Sequence, residues 1–186
     1  GMLHGVYLEN GLIEENDCIG FRGYMIGPST TINGLIIRNS GDSSSNDLPL
    51  RSGFYLRSAN WAPTIDNLEV SGSTGAGIHL MKSSLRGSNW NVHNNSGVGL
   101  HIQESHPEIE GIQSSDNGLN GVFVYDSSNV LLVNASSTRN GAGATEISEG
   151  VGFLYRESNT LTASTKDVTC RTCSSIDDSQ GGVMVQ

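Results

Sequence analysis

Residues 75–84 read GAGIHLMKSS, residues 97–106 GVGLHIQESH and residues 119–128 LNGVFVYDSS, one motif repeated at a period of 22. A fixed period in the twenties, with glycine opening a short alternating run, marks coils stacked on coils. Outward from these three, alternate apolar residues recur in glycine-led stretches: Tyr24/Ile26, Phe54/Leu56, Ile78/Leu80, Leu100/Ile102, Val122/Val124, Phe153/Tyr155 and Val183/Val185. Period two with one apolar face is a strand with that face buried. A second series follows at Leu35/Ile37, Leu68/Val70, Trp90/Val92, Ile112/Ser114, Val133/Ala135 and Val168/Cys170, with a short third strand expected near Ile32, Ile65 or Ile109. Turn residues divide the series, as in Asn94-Asn95-Ser96-Gly97, Asp116-Asn117-Gly118 and Arg139-Asn140-Gly141.

Neighbouring strands in such coils run parallel. Parallel strands in an ordinary sheet need crossover helices, and no helical period separates these. A solenoid removes that need, so an all-β chain of about six to seven coils is expected. The repeat resembles the N-x-G-h-x-h-x-x-S signature of the right-handed parallel β-helix, the pectate-lyase-like family. The resemblance covers residues 12–186 and implies that fold. It implies no single chemistry, because the family holds many activities. Residues 1–11 fit less well: Val6/Leu8 lies close before Leu12, so an irregular lead-in is expected there.

With 24 glycines, 16% charged and 35% hydrophobic residues, the 186 residues suit one domain with a narrow core. A net charge of −9 leaves no basic stripe for phosphate and argues against nucleic acid and anionic membrane as partners. No apolar run is long enough to span a bilayer. Gly1-Met2 reads as a cloning scar, and the repeat begins almost at once; both suggest a domain excised from a longer chain. An uncapped last strand, GGVMVQ, suggests neighbouring domains or partner chains at the ends, a homotrimer being one arrangement. Three cysteines cannot all pair. Cys170-x-x-Cys173 has redox or zinc spacing but no second pair beside it, so Cys170 is expected to fill the core as a small apolar thiol.

If the apolar positions point inward, the residues between them form an outward stripe: Met25, Tyr55, His79, His101, Phe123, Leu154 and Met184. A parallel stripe two residues on reads Gly27, Arg57, Met81, Gln103, Tyr125, Arg156 and Gln186. Aromatic, His, Arg and Gln side chains on a rigid sheet suit a sugar: rings stack on pyranose faces and the polar groups supply directional hydrogen bonds. Tyr55, Arg57, His79, His101, Gln103, Phe123, Tyr125 and Arg156 are therefore the candidate substrate-binding residues. Two insertions at one corner, 41–52 and 138–151, would bracket this strip and localise the site. The first carries Asp42, Asp47 and Arg51, the second Arg139, Glu146 and Glu149.

Lys82, Glu104, Asp126 and Glu157 align at the next position. Glu104 and Asp126, one strand step apart, suit the roughly 5 Å carboxylate spacing of a retaining glycosidase, and Glu104 with Glu157 approaches the inverting range. A lyase or epimerase would instead use Arg57, Lys82 or Arg156 to neutralise a uronate and His79, His101 or Tyr125 as base. Glu104, Asp126 and His101 are the candidate catalytic residues. No stacked aspartates suit calcium, and neither a metal nor another cofactor is expected. Stacked Ser83, Ser105, Ser127 and Ser158 read as structural. The expectation is an extracellular, cell-surface or virion-surface domain that engages, and in one version processes, a polysaccharide. The rival is a non-catalytic shaft of the tailspike type.

Overall fold

The computed structural model describes residues 5–59, 62–145, 150–156 and 168–185. The chain winds as a right-handed parallel β-helix, because each coil is too short to bury its apolar residues alone and must stack on the next. A front sheet of seven parallel strands comprises Phe21–Tyr24, Phe54–Arg57, Ile78–Met81, Leu100–Gln103, Val122–Tyr125, Phe153–Arg156 and Val183–Val185. A twelve-stranded sheet bends into two further arms. Tyr7–Glu9, Thr31–Asn33, Thr64–Asp66, Val130–Val133 and Val168–Arg171 lie in its first arm; Leu12–Asn16, Ile36–Ser40, Glu69–Ser71, Ser136–Thr138 and Ser174–Ile176 lie in its second. Arg86–His93 and Glu108–Ser115 are long enough to run through both.

Single left-handed residues turn the corners. Asn10, Gly34, Asn67, Asn89, Gly111 and Asn134 bend the first arm into the second, all with φ between 51° and 71°. Asn39, Gly72, Asn94, Asp116 and Arg139 end the second arm, and Ser58, Lys82, Glu104 and Asp126 end the front strands in the same conformation. Asn and Asp tolerate it and Gly favours it, which is why turn residues recur on the coil period.

The core is a set of aligned apolar columns. Leu56, Leu80, Ile102 and Val124 stack in the front sheet, and Ile37, Val70 and Val92 stack in the second arm. All are buried. The first-arm column Ile32, Ile65, Ile109, Leu132 is interrupted by Gly87. There Trp90 takes the space: a Cβ on Gly87 would lie 2.5 Å from its ring, and its indole N–H donates to the Ile65 carbonyl at 2.8 Å.

Two polar ladders reinforce the stack. Asn95 Nδ2 donates to Asn117 Oδ1, Asn117 Nδ2 to Asn140 Oδ1, and Asn140 Nδ2 to Asp178 Oδ1, each at 2.9 Å. The three asparagines are buried, and each Oδ1 also accepts the backbone N–H one coil back. Ser83, Ser105 and Ser127 form the second ladder, Ser105 Oγ accepting from Ser83 N and Ser127 Oγ from Ser105 N at 3.0 Å. Ser158 lies outside the described residues.

Four register expectations are corrected. In the first coil, Phe21 rather than Tyr24 pairs with Phe54, so Arg22 joins the outward column, Tyr24 sits beside Arg57, and Met25 is a solvent-facing corner residue. Gly20-Phe21 repeats Gly53-Phe54, and that likeness was the signal overlooked. Ala135, not Val133, aligns with Ile112, because Ser136 pairs with Gln113. Tyr7–Glu9 is in register with Thr31–Asn33 rather than irregular, since the short spacing from Leu8 to Ile13 matches that from Ile32 to Ile37 across the arm corner. Cys170 pairs with Leu132 in the first arm and is exposed instead of core-filling; it forms a disulfide with Cys173. No further coil covers it among the described residues.

Candidate functional site

The expected outward column exists, and its order is fixed by hydrogen-bond register: Arg22, Tyr55, His79, His101, Phe123, Leu154. The one-coil rise brings the rings into contact. His79 and His101 stack with centroids 4.5 Å apart and planes within 8°, and His101 stacks on Phe123 at 4.9 Å and 13°. Tyr55 leans on His79 at 5.3 Å, and its hydroxyl donates to Met81 Sδ at 3.4 Å.

The column is not the open strip that its outward direction implies. Tyr55 and His79 are each 2% exposed and His101 9%. The insertion between Ser40 and Gly53 leads into the Tyr55 strand at this end of the column. It ends in the 3-10 turn Leu48–Arg51 and brings the Asp47 carboxylate close enough to act on both Tyr55 and His79. Burial pulls the His79 imidazole down to about 4, against smaller opposing effects of Gln103 and Asp47. The Gln103 side chain lies close, yet neither His79 nitrogen meets hydrogen-bond geometry. Burial, with His79 alongside, pulls His101 down to about 3. Both rings are neutral at physiological pH.

Beyond His79 the surface opens into a cavity of about 350 Å³. His101, Phe123 and Leu154 form its floor, and Arg51 and Arg156 also border it. Its wall is the corner 74–76, 96–98 and 119–120, stacked by backbone bonds from Gly75 N to Arg51 O and from Gly97 N to Gly75 O. Glycine at 75 and 97 keeps this wall bare: a Cβ on Gly97 would lie 2.8 Å from the Gly75 carbonyl carbon. Arg51 Nη2 donates to the Thr74 carbonyl at 2.6 Å. Arg51 Nε, Thr74 Oγ1 and His101 Nε2 are buried without a protein partner. The residues that carry these three atoms all border the cavity.

Of the residues singled out in the sequence, His101, Phe123 and Arg156 converge on this cavity. Tyr55 and His79 share its column but are buried and do not border it. Arg57, Gln103 and Tyr125 occupy the next outward position of their strands. Glu104 and Asp126 are corner residues with φ of 47°, and neither borders the cavity. Glu104 is exposed and pairs with Lys82 Nζ at 3.3 Å. Glu157, Glu146 and Glu149 lie outside the described residues. Arg139 pairs with Asp116 at 2.7 Å, away from the groove lining.

Arg51 is the groove residue that the sequence reading passed over as one charge among several in an insertion. Its signal was positional: it stands three residues before Phe54, as Gly75, Gly97 and Leu119 stand before Ile78, Leu100 and Val122. An arginine in a column of small or apolar residues puts a cation at the rim. Among the described residues, no three His, Cys, Asp or Glu side chains converge as metal ligands, and no helix is long and apolar enough to cross a membrane.

Residues 52–186 match the family described as right handed beta helix region. No curated protein matches the sequence. Among solved structures, the chain is similar to the A-module of the mannuronan C-5 epimerase of Azotobacter vinelandii, with a TM-score of 0.69 and 15% identity over 98% of this chain and 47% of that one. It is also similar to a periplasmic alginate epimerase, with a TM-score of 0.59 and 14% identity over 95% of this chain and 46% of that one. The chain thus spans about half the length of these structures. At such identities the likeness speaks for the fold.

Proposed function

The chain belongs to the right-handed β-helix family, and from that premise we propose that it engages an acidic polysaccharide of the uronate class in the Arg51–Arg156 groove and acts at the carbon next to the sugar carboxylate. The observation that carries this reading is the groove itself. Two guanidinium groups border a floor made of a neutral imidazole and an aromatic ring. Arginine pairs with a carboxylate through parallel N–H donors, and Phe123 offers a face to a pyranose ring.

Removing a proton α to a carboxylate requires that the carboxylate charge be neutralised while a base takes the proton. Arg51 or Arg156 supplies the first requirement, and His101, unprotonated and lining the groove, supplies the second. A carboxylate bound beside His101 would raise the ring's proton affinity, so the ligand itself improves the base. Return of a proton to the opposite face gives epimerisation; loss of the glycosidic oxygen gives elimination. The fold likeness to two alginate epimerases supports the same class of substrate, and an extracellular or envelope setting accords with that substrate and with the Cys170–Cys173 disulfide.

The test is incubation with defined polyuronates, following C-5 configuration by proton NMR and new unsaturation by ultraviolet absorbance. Turnover that disappears in His101→Ala supports the reading. Absence of both binding and turnover across mannuronate, guluronate and galacturonate polymers would sink it. The trimeric-shaft alternative draws less support, because Tyr55, His79 and most of His101 are already covered within one chain and offer little to a subunit contact.

A further inference from the structure

The groove is blind at one end. The aligned column continues from His101 back through His79 to Tyr55, but the cavity does not, because its floor begins at His101. Tyr55 and His79 are buried, and the Asp47 carboxylate of the insertion lies close enough to act on both rings. Arg51, at the end of that insertion's 3-10 turn, stands where the floor stops. Its Nη2 is tied to the Thr74 carbonyl, which fixes the guanidinium, while its Nε and the nearby Thr74 Oγ1 are buried without partners. The other end differs: Arg156 is exposed, and the lining ends there. From His101 to Leu154 the floor covers two strand steps, about 10 Å, too short to hold a long stretch of polymer.

Resting on the reading above that this groove takes an acidic glycan, we propose that it takes a chain end. Arg51 receives the carboxylate or hydroxyls of the terminal sugar, the next ring lies over Phe123, and the remaining polymer leaves past Arg156. An open cleft would bind anywhere along a chain. A blind one admits only what stops at Arg51. Arg51 is then the residue that sets specificity for the terminus, and the 41–52 insertion sets the mode of action.

Calorimetric titration with narrow-length uronate fractions (a short oligomer, a medium chain and a long polymer) tests this. End binding predicts one protein per chain at every length, with affinity per chain nearly constant. Proteins per chain that rise with length would overturn the inference and leave the acidic-glycan reading standing. No binding at any length would overturn both. Arg51→Ala should weaken oligomer binding about tenfold, the scale of one charge-assisted hydrogen bond lost; unchanged affinity in that variant counts against the proposal. A variant with 43–47 replaced by two glycines, checked for fold by circular dichroism, should convert the stoichiometry to a length-dependent one. Retention of one protein per chain there would show that the insertion does not set the mode.

Discussion

His79 and His101 are the residues at which burial has the largest electrostatic effect. In the unfolded chain each ring takes a proton near 6.5; in the folded chain uptake waits until about 4 for His79 and about 3 for His101. Between those values the unfolded state binds more protons, so stability is fully present above pH 6.5 and is lost as pH falls toward 3. The His79 shift alone corresponds to a loss on the order of 3 kcal/mol. Thermal melts from pH 7 to pH 4 should show a falling midpoint, and the double variant His79→Phe, His101→Phe should show a shallower fall than the parent. Glu104 contrasts with them. Its pair with Lys82 is exposed, so Glu104→Gln should change stability by less than about 0.5 kcal/mol and leave glycan binding intact. A large loss of turnover in that variant would restore Glu104 as a catalytic acid.

At the scale of an element, what holds one coil to the next is a ladder rather than a strand by itself. Asn117 accepts from both the backbone and the side chain of Asn95 and donates to Asn140, Ser114 and the Val92 carbonyl. Asn117→Ala leaves several buried groups unpaired, and a loss of about 3 kcal/mol is expected in urea unfolding. Gly87 makes the complementary point for packing. Gly87→Ala sets a methyl against the Trp90 ring and should cost about 1–3 kcal/mol, with a changed tryptophan fluorescence as the independent sign. The strands themselves were legible, because alternation needs no partner to be seen. The asparagine ladder was not: Asn95, Asn117 and Asn140 read as turn residues, and only their neighbours one coil away make their burial affordable. The Gly20-Phe21 register was missed for a similar reason, since Gly23-Tyr24-Met25-Ile26 offers a competing alternation that only pairing with Phe54–Arg57 rejects.

For the whole molecule, stacking makes each coil depend on its neighbours, so protection should be graded along the axis. The central strands Leu100–Gln103 and Glu108–Ser115 are covered on both sides, whereas Val168–Arg171 is mostly exposed and carries one half of the disulfide. Hydrogen exchange should be slowest at Ile102 and Ile112 and fastest in 168–176, and a reductant should accelerate exchange in the latter alone; uniform acceleration would mean that the solenoid unfolds as one unit. The sequence by itself determined the coil period, the inward and outward alternation, and the corner that receives both insertions, because these follow from side-chain chemistry repeated at fixed spacing. The tertiary structure alone decided which outward residues meet solvent. A 22-residue repeat places His79 and His101 in equivalent positions, and nothing local tells them apart. The cavity does: it borders His101 and not His79, because residues distant in the chain, Arg51 and Arg156 among them, come together there, and so a continuous strip becomes a short groove.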